Sequence, residues 1–224
     1  MRDRNLFLYG DFQPNASYMY RPFIRVCGTK QPTVAVLMQG DHNWETCFER
    51  YSELLCSLGA LAKPVVPPPD SSTLDAEALH LLEQCDGILV GGGHTFRYIQ
   101  LYTQSPVIDI IRERYHNGTP YAGISAGAIL TIRLGIVPHF AIKPHFSQQH
   151  RFGELLKKME SGNALYGLGM DNAIGIQLTN ETDISLFGGE KCYIFRRSAP
   201  NEYHLTVLQP RFVHPHFFTP ASHG

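Results

Sequence analysis

Tyr121-Ala122-Gly123-Ile124-Ser125-Ala126-Gly127-Ala128 decides the fold: four residues that read as a buried strand run without a break into a serine flanked by small residues. Gly123 to Gly127 matches G-x-S-x-G, the pattern of a serine held on a sharp turn between a strand and a helix. Such a turn is crowded, which glycine tolerates, and the helix that follows offers its N-terminal N–H groups to developing negative charge. The match is short, and a glycine-rich packing turn between strand and helix reads the same way. A second turn stands in an equivalent place: Gly91-Gly92-Gly93 follows the apolar run Gly87–Val90 and precedes a helix-like stretch to Tyr102. Neither turn has the Lys-Ser/Thr of a P-loop or the spacing of a dinucleotide fingerprint.

Outward from these turns, short apolar runs alternate with longer amphipathic segments. That order predicts an α/β fold, a mostly parallel sheet with helices on both faces. Leu6–Tyr9 and Val34–Met38 read as the first strands. Phe48, Tyr51, Leu54, Leu55 and Leu58 recur at helical spacing and predict a helix between Trp44 and Leu61, stopped by the Pro-rich stretch Pro64–Pro69. Asp75–Gln84 and Val107–Tyr115 read as further helices, the second ended by Asn117-Gly118. After Gly169 the alternation changes. Ile174–Leu178, Ile184–Phe187, Cys192–Arg196 and His204–Leu208 predict a C-terminal antiparallel extension. No repeat, charge block or low-complexity linker divides residues 1–224, so a single domain is expected.

Composition narrows the function. The formal net charge of -1 argues against a nucleic-acid surface, which needs clustered Lys and Arg in excess. The 5 cysteines are scattered with no C-x-x-C pair, which points to neither a disulfide framework nor a zinc knuckle and suggests a reducing cytoplasm. The apolar stretch near the start, Leu6–Tyr9, is too short for the core of a secretion signal, and no run of about 18 apolar residues is present, so neither a secretion signal nor a membrane span is expected. Nothing calls for a cofactor or a metal, since His145, His150 and Glu154 lack the paired spacing of zinc hydrolases. Val213-His214-Pro215-His216-Phe217-Phe218 has the histidines of a metal tail but reads better as a docking strand or a homodimer contact, because its aromatic residues would otherwise lie exposed.

A serine hydroxyl is a poor nucleophile at neutral pH unless an imidazole takes its proton. Of the 11 histidines, His145 in Ile142-Lys143-Pro144-His145-Phe146-Ser147 suits that role, with His139 in Pro138-His139-Phe140 its nearest rival. An N–H group from the Gly91–Gly93 loop and that of Ala126 would supply the donor pair that an acyl-transfer oxyanion needs.

Together these residues resemble the peptidase E and cyanophycinase family of serine peptidases, whose fold is similar to that of the class I glutamine amidotransferases. The resemblance runs over residues 5–196, with a Gly-Gly-Gly-x-Thr-Phe loop (Gly91–Phe96), the Gly123–Ala128 elbow, His145-Phe146, and a Gly-x-Gly-x-Asp turn (Gly167–Asp171) in family order. It implies that Ser125 attacks the scissile carbonyl of a short peptide and that His145, rather than His139, shuttles the proton. It also implies that the N–H groups of Gly92, with Gly93 beside it, and Ala126 hold the oxyanion. His94 and Thr95 fall where the family's loop meets substrate.

The chain departs from the family at three places. Family members usually place Glu, sometimes Asp, directly after the Asp of the Gly-x-Gly-x-Asp turn. Here that place is Asn172, which leaves Asp171, Asn172 or neither to orient the imidazole and predicts slower turnover. His94 stands where peptidase E-like proteins often have the Asn that contacts substrate, so a preference for acidic residues does not carry over directly. Lys143 stands where cyanophycinases tend to have an acidic residue, and with Arg151 it suits a carboxylate-bearing substrate unless both face solvent. The expected activity is that of an exopeptidase or dipeptidase. A cyanophycinase-like isopeptidase and a catalytically silent binding protein are the alternatives.

Overall fold

Side chains alternate across a strand, and the apolar runs of this chain have no polar face to leave in water, so their strands need cover on both sides. The computed structural model describes residues 2–68, 71–210, 213–214 and 217–218. In chain order its elements are β1 (Asn5–Tyr9), α1 (Arg21–Val26), β2 (Thr33–Leu37), α2 (Trp44–Ser57), β3 (Leu61–Val65), α3 (Ala76–Gln84), β4 (Gly87–Val90), α4 (Thr95–Tyr102), α5 (Val107–His116), β5 (Tyr121–Ile124) and α6 (Ala126–Arg133). There follow β6 (Phe140–Pro144), α7 (Phe152–Ser161), β7 (Tyr166–Met170), β8 (Ile174–Thr179), β9 (Asp183–Gly188), β10 (Cys192–Ala199), β11 (Glu202–Leu208) and β12 (Val213–His214).

An 8-stranded sheet has the order β12-β9-β8-β1-β5-β4-β2-β3. Strands β1 to β5 within it are parallel, and β8, β9 and β12 are antiparallel along one side. Alternation splits the parallel strands between two cores. Leu8, Leu37, Ile88 and Val90 pack with α3 to α6, while Phe7, Val36, Leu89 and Ile124 pack with α1 and α2. A second, 4-stranded sheet has the order β11-β10-β7-β6. Its β6 and β7 run parallel, joined through α7, whose Leu155 and Met159 pack with Ala141, Phe146 and Phe195.

The expected α/β architecture is present, and three segments differ from the sequence reading. Helix α2 stops at Ser57, and Leu61 begins β3. Pro64 is tolerated in that strand because β3 is the edge of the sheet and pairs only with β2. The Gly-x-Gly run before Asp171 is not a turn but strand β7: a Cβ on Gly169 would lie 2.6 Å from the Phe146 ring, so the glycine makes room for packing. The antiparallel extension is divided, with β8 and β9 widening the main sheet and β10 and β11 joining β6 and β7. At the C-terminal run, Val213–His214 pairs with β9, and Phe218 is buried with its ring centroid 5.0 Å from that of Phe140 and 4.8 Å from that of Tyr166. Pro215 and His216 lie outside the described residues. Among the described residues no helix is long and apolar enough to cross a membrane.

Candidate active site

Parallel strands deliver their C-terminal ends to one side of a sheet, which is where open α/β sheets bind ligands. Strand β1 ends just before Gly10-Asp11, β2 before Met38-Gln39, β4 before Gly91, and the central β5 before Ser125. From the second sheet, β6 and β7 end just before His145 and before Asp171-Asn172. Close backbone approach joins the two groups. A Cβ on Gly10 would collide with the Asp171 carbonyl oxygen, so only glycine lets the end of β1 lie against the turn that carries Asn172.

Ser125 takes φ 50° and ψ −103°, with its N–H donating to the Tyr9 carbonyl at 3.0 Å. His145 also has positive φ, at 54°. A Cβ on Gly127 would run into the Val90 carbonyl oxygen, so the helix after the serine can press against β4 only with glycine there. Side-chain-bearing residues in such conformations cost on the order of 1–3 kcal/mol each, and strain of this kind concentrates at functional sites. Glycine would relieve it. Ser125→Gly is therefore expected to be more stable than Ser125→Ala by about 1 kcal/mol or more, a melting temperature higher by about 2–4 °C. Thermal unfolding of the two variants checks this, and an alanine variant that melts as high or higher contradicts the strain.

Ser125 Oγ lies 2.9 Å from His145 Nε2, and His145 Nδ1 lies 2.7 Å from Asn172 Oδ1. With the amide oxygen toward the ring, Nδ1–H donates to Asn172 and Nε2 keeps its lone pair for the serine proton. Asp171 makes no hydrogen bond to the ring among the described residues. It is buried, and its Oδ1 accepts the Ser147 N–H at 3.0 Å, which pins the backbone just beyond His145. His139 sits at the opposite end of β6, about 20 Å away along the strand.

The glycine loop is clamped from below by Gln39. His94 N–H donates to Gln39 Oε1 at 3.0 Å, and Gln39 Nε2 donates back to the His94 carbonyl at 2.6 Å. Gly92 differs from the expectation that its N–H faces an oxyanion: it donates to the Tyr51 hydroxyl at 3.0 Å, because α2 lays the Tyr51 side chain against a loop with no side chains of its own. The N–H groups of Gly93 and Ala126 have no protein acceptor among the described residues. Burial pushes the Tyr51 phenol up to about 12, with the Gly92 N–H opposing the shift, so the hydroxyl keeps its proton at neutral pH.

A cleft of about 530 Å³ opens over Ser125 and His145, lined also by Asp11, Phe12, Cys47, Arg50, Tyr51, Gly92 and Gly93. His94, Thr95, Lys143 and Arg151 do not line it. The His94 ring lies 5.9 Å from that of Phe96, and Lys143 Nζ lies 2.7 Å from a carboxylate oxygen of Glu154 on α7. Arg151 Nε is buried with no hydrogen-bond partner among the described residues. Sequence reading misses Asp11, Phe12, Arg50 and Tyr51. Asp11 carries a usable signal, since it lies two residues beyond a strand end where ligands gather in such sheets. The other three carry none.

The profile of peptidase family S51 matches residues 26–139, a span that holds the glycine loop and Ser125 and ends before His145. A Haemophilus influenzae protein named peptidase E is 35% identical over an alignment of 133 residues, covering 42% of this chain and 61% of that protein. The chain thus spans about three-fifths of that relative. A protein of Trichormus variabilis named cyanophycinase is 21% identical over 221 residues, covering 87% of this chain and 74% of that protein. Among solved structures, a peptidase from an acI-B1 actinobacterium superposes with a TM-score of 0.70 at 18% identity, covering 94% of this chain and 96% of that one.

Proposed function

The chain belongs to peptidase family S51, and on that premise we propose that it is a serine peptidase hydrolysing short peptides. One observation carries the reading: Ser125 Oγ, the His145 ring and the Asn172 amide oxygen form a continuous hydrogen-bonded line at 2.9 and 2.7 Å. In this mechanism Oγ attacks the scissile carbonyl carbon while its proton passes to His145 Nε2, and the carbonyl electron pair moves onto oxygen. The N–H groups of Ala126 and Gly93 stabilise that oxyanion. The imidazolium then protonates the leaving amine as the C–N bond breaks, and water repeats the sequence on the acyl-enzyme. Asn172 orients the ring without contributing charge.

The cleft wall suits a substrate with two charged ends. Arg50 is exposed and ion-paired to no carboxylate among the described residues, its guanidinium 5.2 Å from the Phe12 ring centroid, and Asp11 brings a negative charge to the same cleft. Lys143 is taken up by Glu154, which leaves Arg50 as the cation for a substrate carboxylate. We assign the activity to dipeptides and tripeptides with free termini.

The test is hydrolysis of a dipeptide and tripeptide library that includes Asp-X, X-Asp and β-Asp-Arg members. Cleavage of α-linked members is expected, with Arg50→Ala raising KM. Preferential cleavage of β-Asp-Arg would favour an isopeptidase. No cleavage of any member by folded protein would leave a peptide-binding protein in place of the enzyme.

A further inference from the structure

We propose that Tyr51 is a catalytic residue, a side-chain donor to the oxyanion that forms at Ser125. The proposal rests on the serine peptidase reading above. Its starting point is a hydrogen-bond direction that cannot be reversed. A backbone N–H can only donate, so in the 3.0 Å contact with Gly92 the Tyr51 oxygen is the acceptor, and the phenolic proton is left over. That proton has no acceptor among the described residues, although Tyr51 is only 6% exposed. A buried hydroxyl proton without a partner is costly, and the open side of this one is the cleft that Tyr51 helps to line.

Position agrees with this. A Cβ built on Gly92 would lie 3.8 Å from Ser125 Cβ and 3.9 Å from the Tyr51 hydroxyl oxygen, so nucleophile and phenol flank the same point of the loop. The ring cannot easily move away. It packs edge-on to Phe12 with centroids 4.6 Å apart, and a Cβ on Gly91 would lie 2.9 Å from its hydroxyl. Accepting the Gly92 N–H polarises the phenol and strengthens the hydrogen bond it can donate. The Gly92 N–H thereby acts on the oxyanion at second hand, through Tyr51. Tyr51 transfers no proton of its own: the serine proton goes to His145, the carbonyl electron pair goes to oxygen, and the tyrosine donates a hydrogen bond to that oxygen throughout.

Phosphonylation by a fluorophosphonate tests this without a known peptide substrate, because the reagent's P–O oxygen takes the oxyanion's place when Ser125 displaces fluoride. Wild type is expected to be labelled and Ser125→Ala not. Tyr51→Phe keeps the ring, and its maximal labelling rate is expected to fall at least about 10-fold with the half-saturating reagent concentration unchanged. Labelling of Tyr51→Phe at the wild-type rate, or a change confined to the half-saturating concentration, overturns the Tyr51 role alone. A wild type that is not labelled at Ser125 overturns the serine reading and the Tyr51 role with it. If the phenylalanine variant does not fold, site-specific fluorotyrosine at position 51 keeps the shape and gives a stronger donor. A faster maximal rate then supports the role, and an unchanged one removes it.

Discussion

Ser125→Ala and His145→Ala are each expected to lower kcat/KM on the best-cleaved library peptide by roughly 10⁴- to 10⁶-fold, and the double variant to fall no further. The magnitude follows from the 2.9 Å contact between Oγ and Nε2, through which a single proton passes. Without the imidazole the hydroxyl has no local base, and without the hydroxyl the imidazole has nothing to deprotonate. Either loss therefore removes the same step, and the second removal finds nothing left to take away. Residual hydrolysis would come from the N–H groups of Ala126 and Gly93 acting on a bound carbonyl. Steady-state kinetics on the three variants check this. Losses that multiply in the double variant would mean that the two side chains act in separate steps, which contradicts the mechanism proposed here.

What is legible in the sequence is what depends on adjacent residues. The elbow is read from Gly123 to Gly127 because its crowding is local: a Cβ on Gly123 would lie 2.5 Å from the Gly127 backbone, four residues on. His145 is legible through the apolar segment that carries it to a strand end. Lys143 misleads for a related reason. Two residues apart on an extended segment, 143 and 145 should share a face, but the positive φ of His145 breaks the alternation. The imidazole turns to Ser125 while the lysine pairs with Glu154 on α7.

Asp171 and Asn172 are neighbours in the chain, and nothing local decides which of them meets the ring. Contacts from elsewhere decide it. Gly10 packs on the Asp171 backbone, Asp171 N–H donates to the Lys191 carbonyl at 3.2 Å, and its side chain is held by Ser147 N–H. Arg50 and Tyr51 are hidden for the same kind of reason. They read as one turn of an amphipathic helix, and only the seating of α2 beside the glycine loop brings that turn into the cleft.

Asn172 is where the departure from the family pattern is expected to have its largest measurable effect. Asn172→Ala removes the acceptor for Nδ1–H, and kcat is expected to fall roughly 100- to 1,000-fold as the ring loses both orientation and tautomer. Asn172→Asp goes the other way. A charge-assisted hydrogen bond is stronger than a neutral one by about 1–2 kcal/mol, which corresponds to a kcat roughly 5- to 30-fold above wild type. A carboxylate at this position also favours imidazolium, so the acid limb of the pH–rate profile should move to higher pH in the Asp variant. The opposing effect lies in the neighbours. Asp171 is buried on one side, and on the other Glu190 accepts the Ala173 N–H at 2.6 Å. Their charge already reaches Tyr193, whose phenol is raised by burial first and then by Asp171 and Glu190. A third carboxylate between them should lower the melting temperature by a few degrees, since like charges held close are destabilising. Kinetics, pH profiles and thermal unfolding of the two variants decide the matter together. If Asn172→Ala is as fast as wild type and Asn172→Asp no faster, Asn172 does not orient the ring. If rate rises while stability falls, the amide is the neutral acceptor that an acidic turn can accommodate, and slower chemistry follows from that crowding.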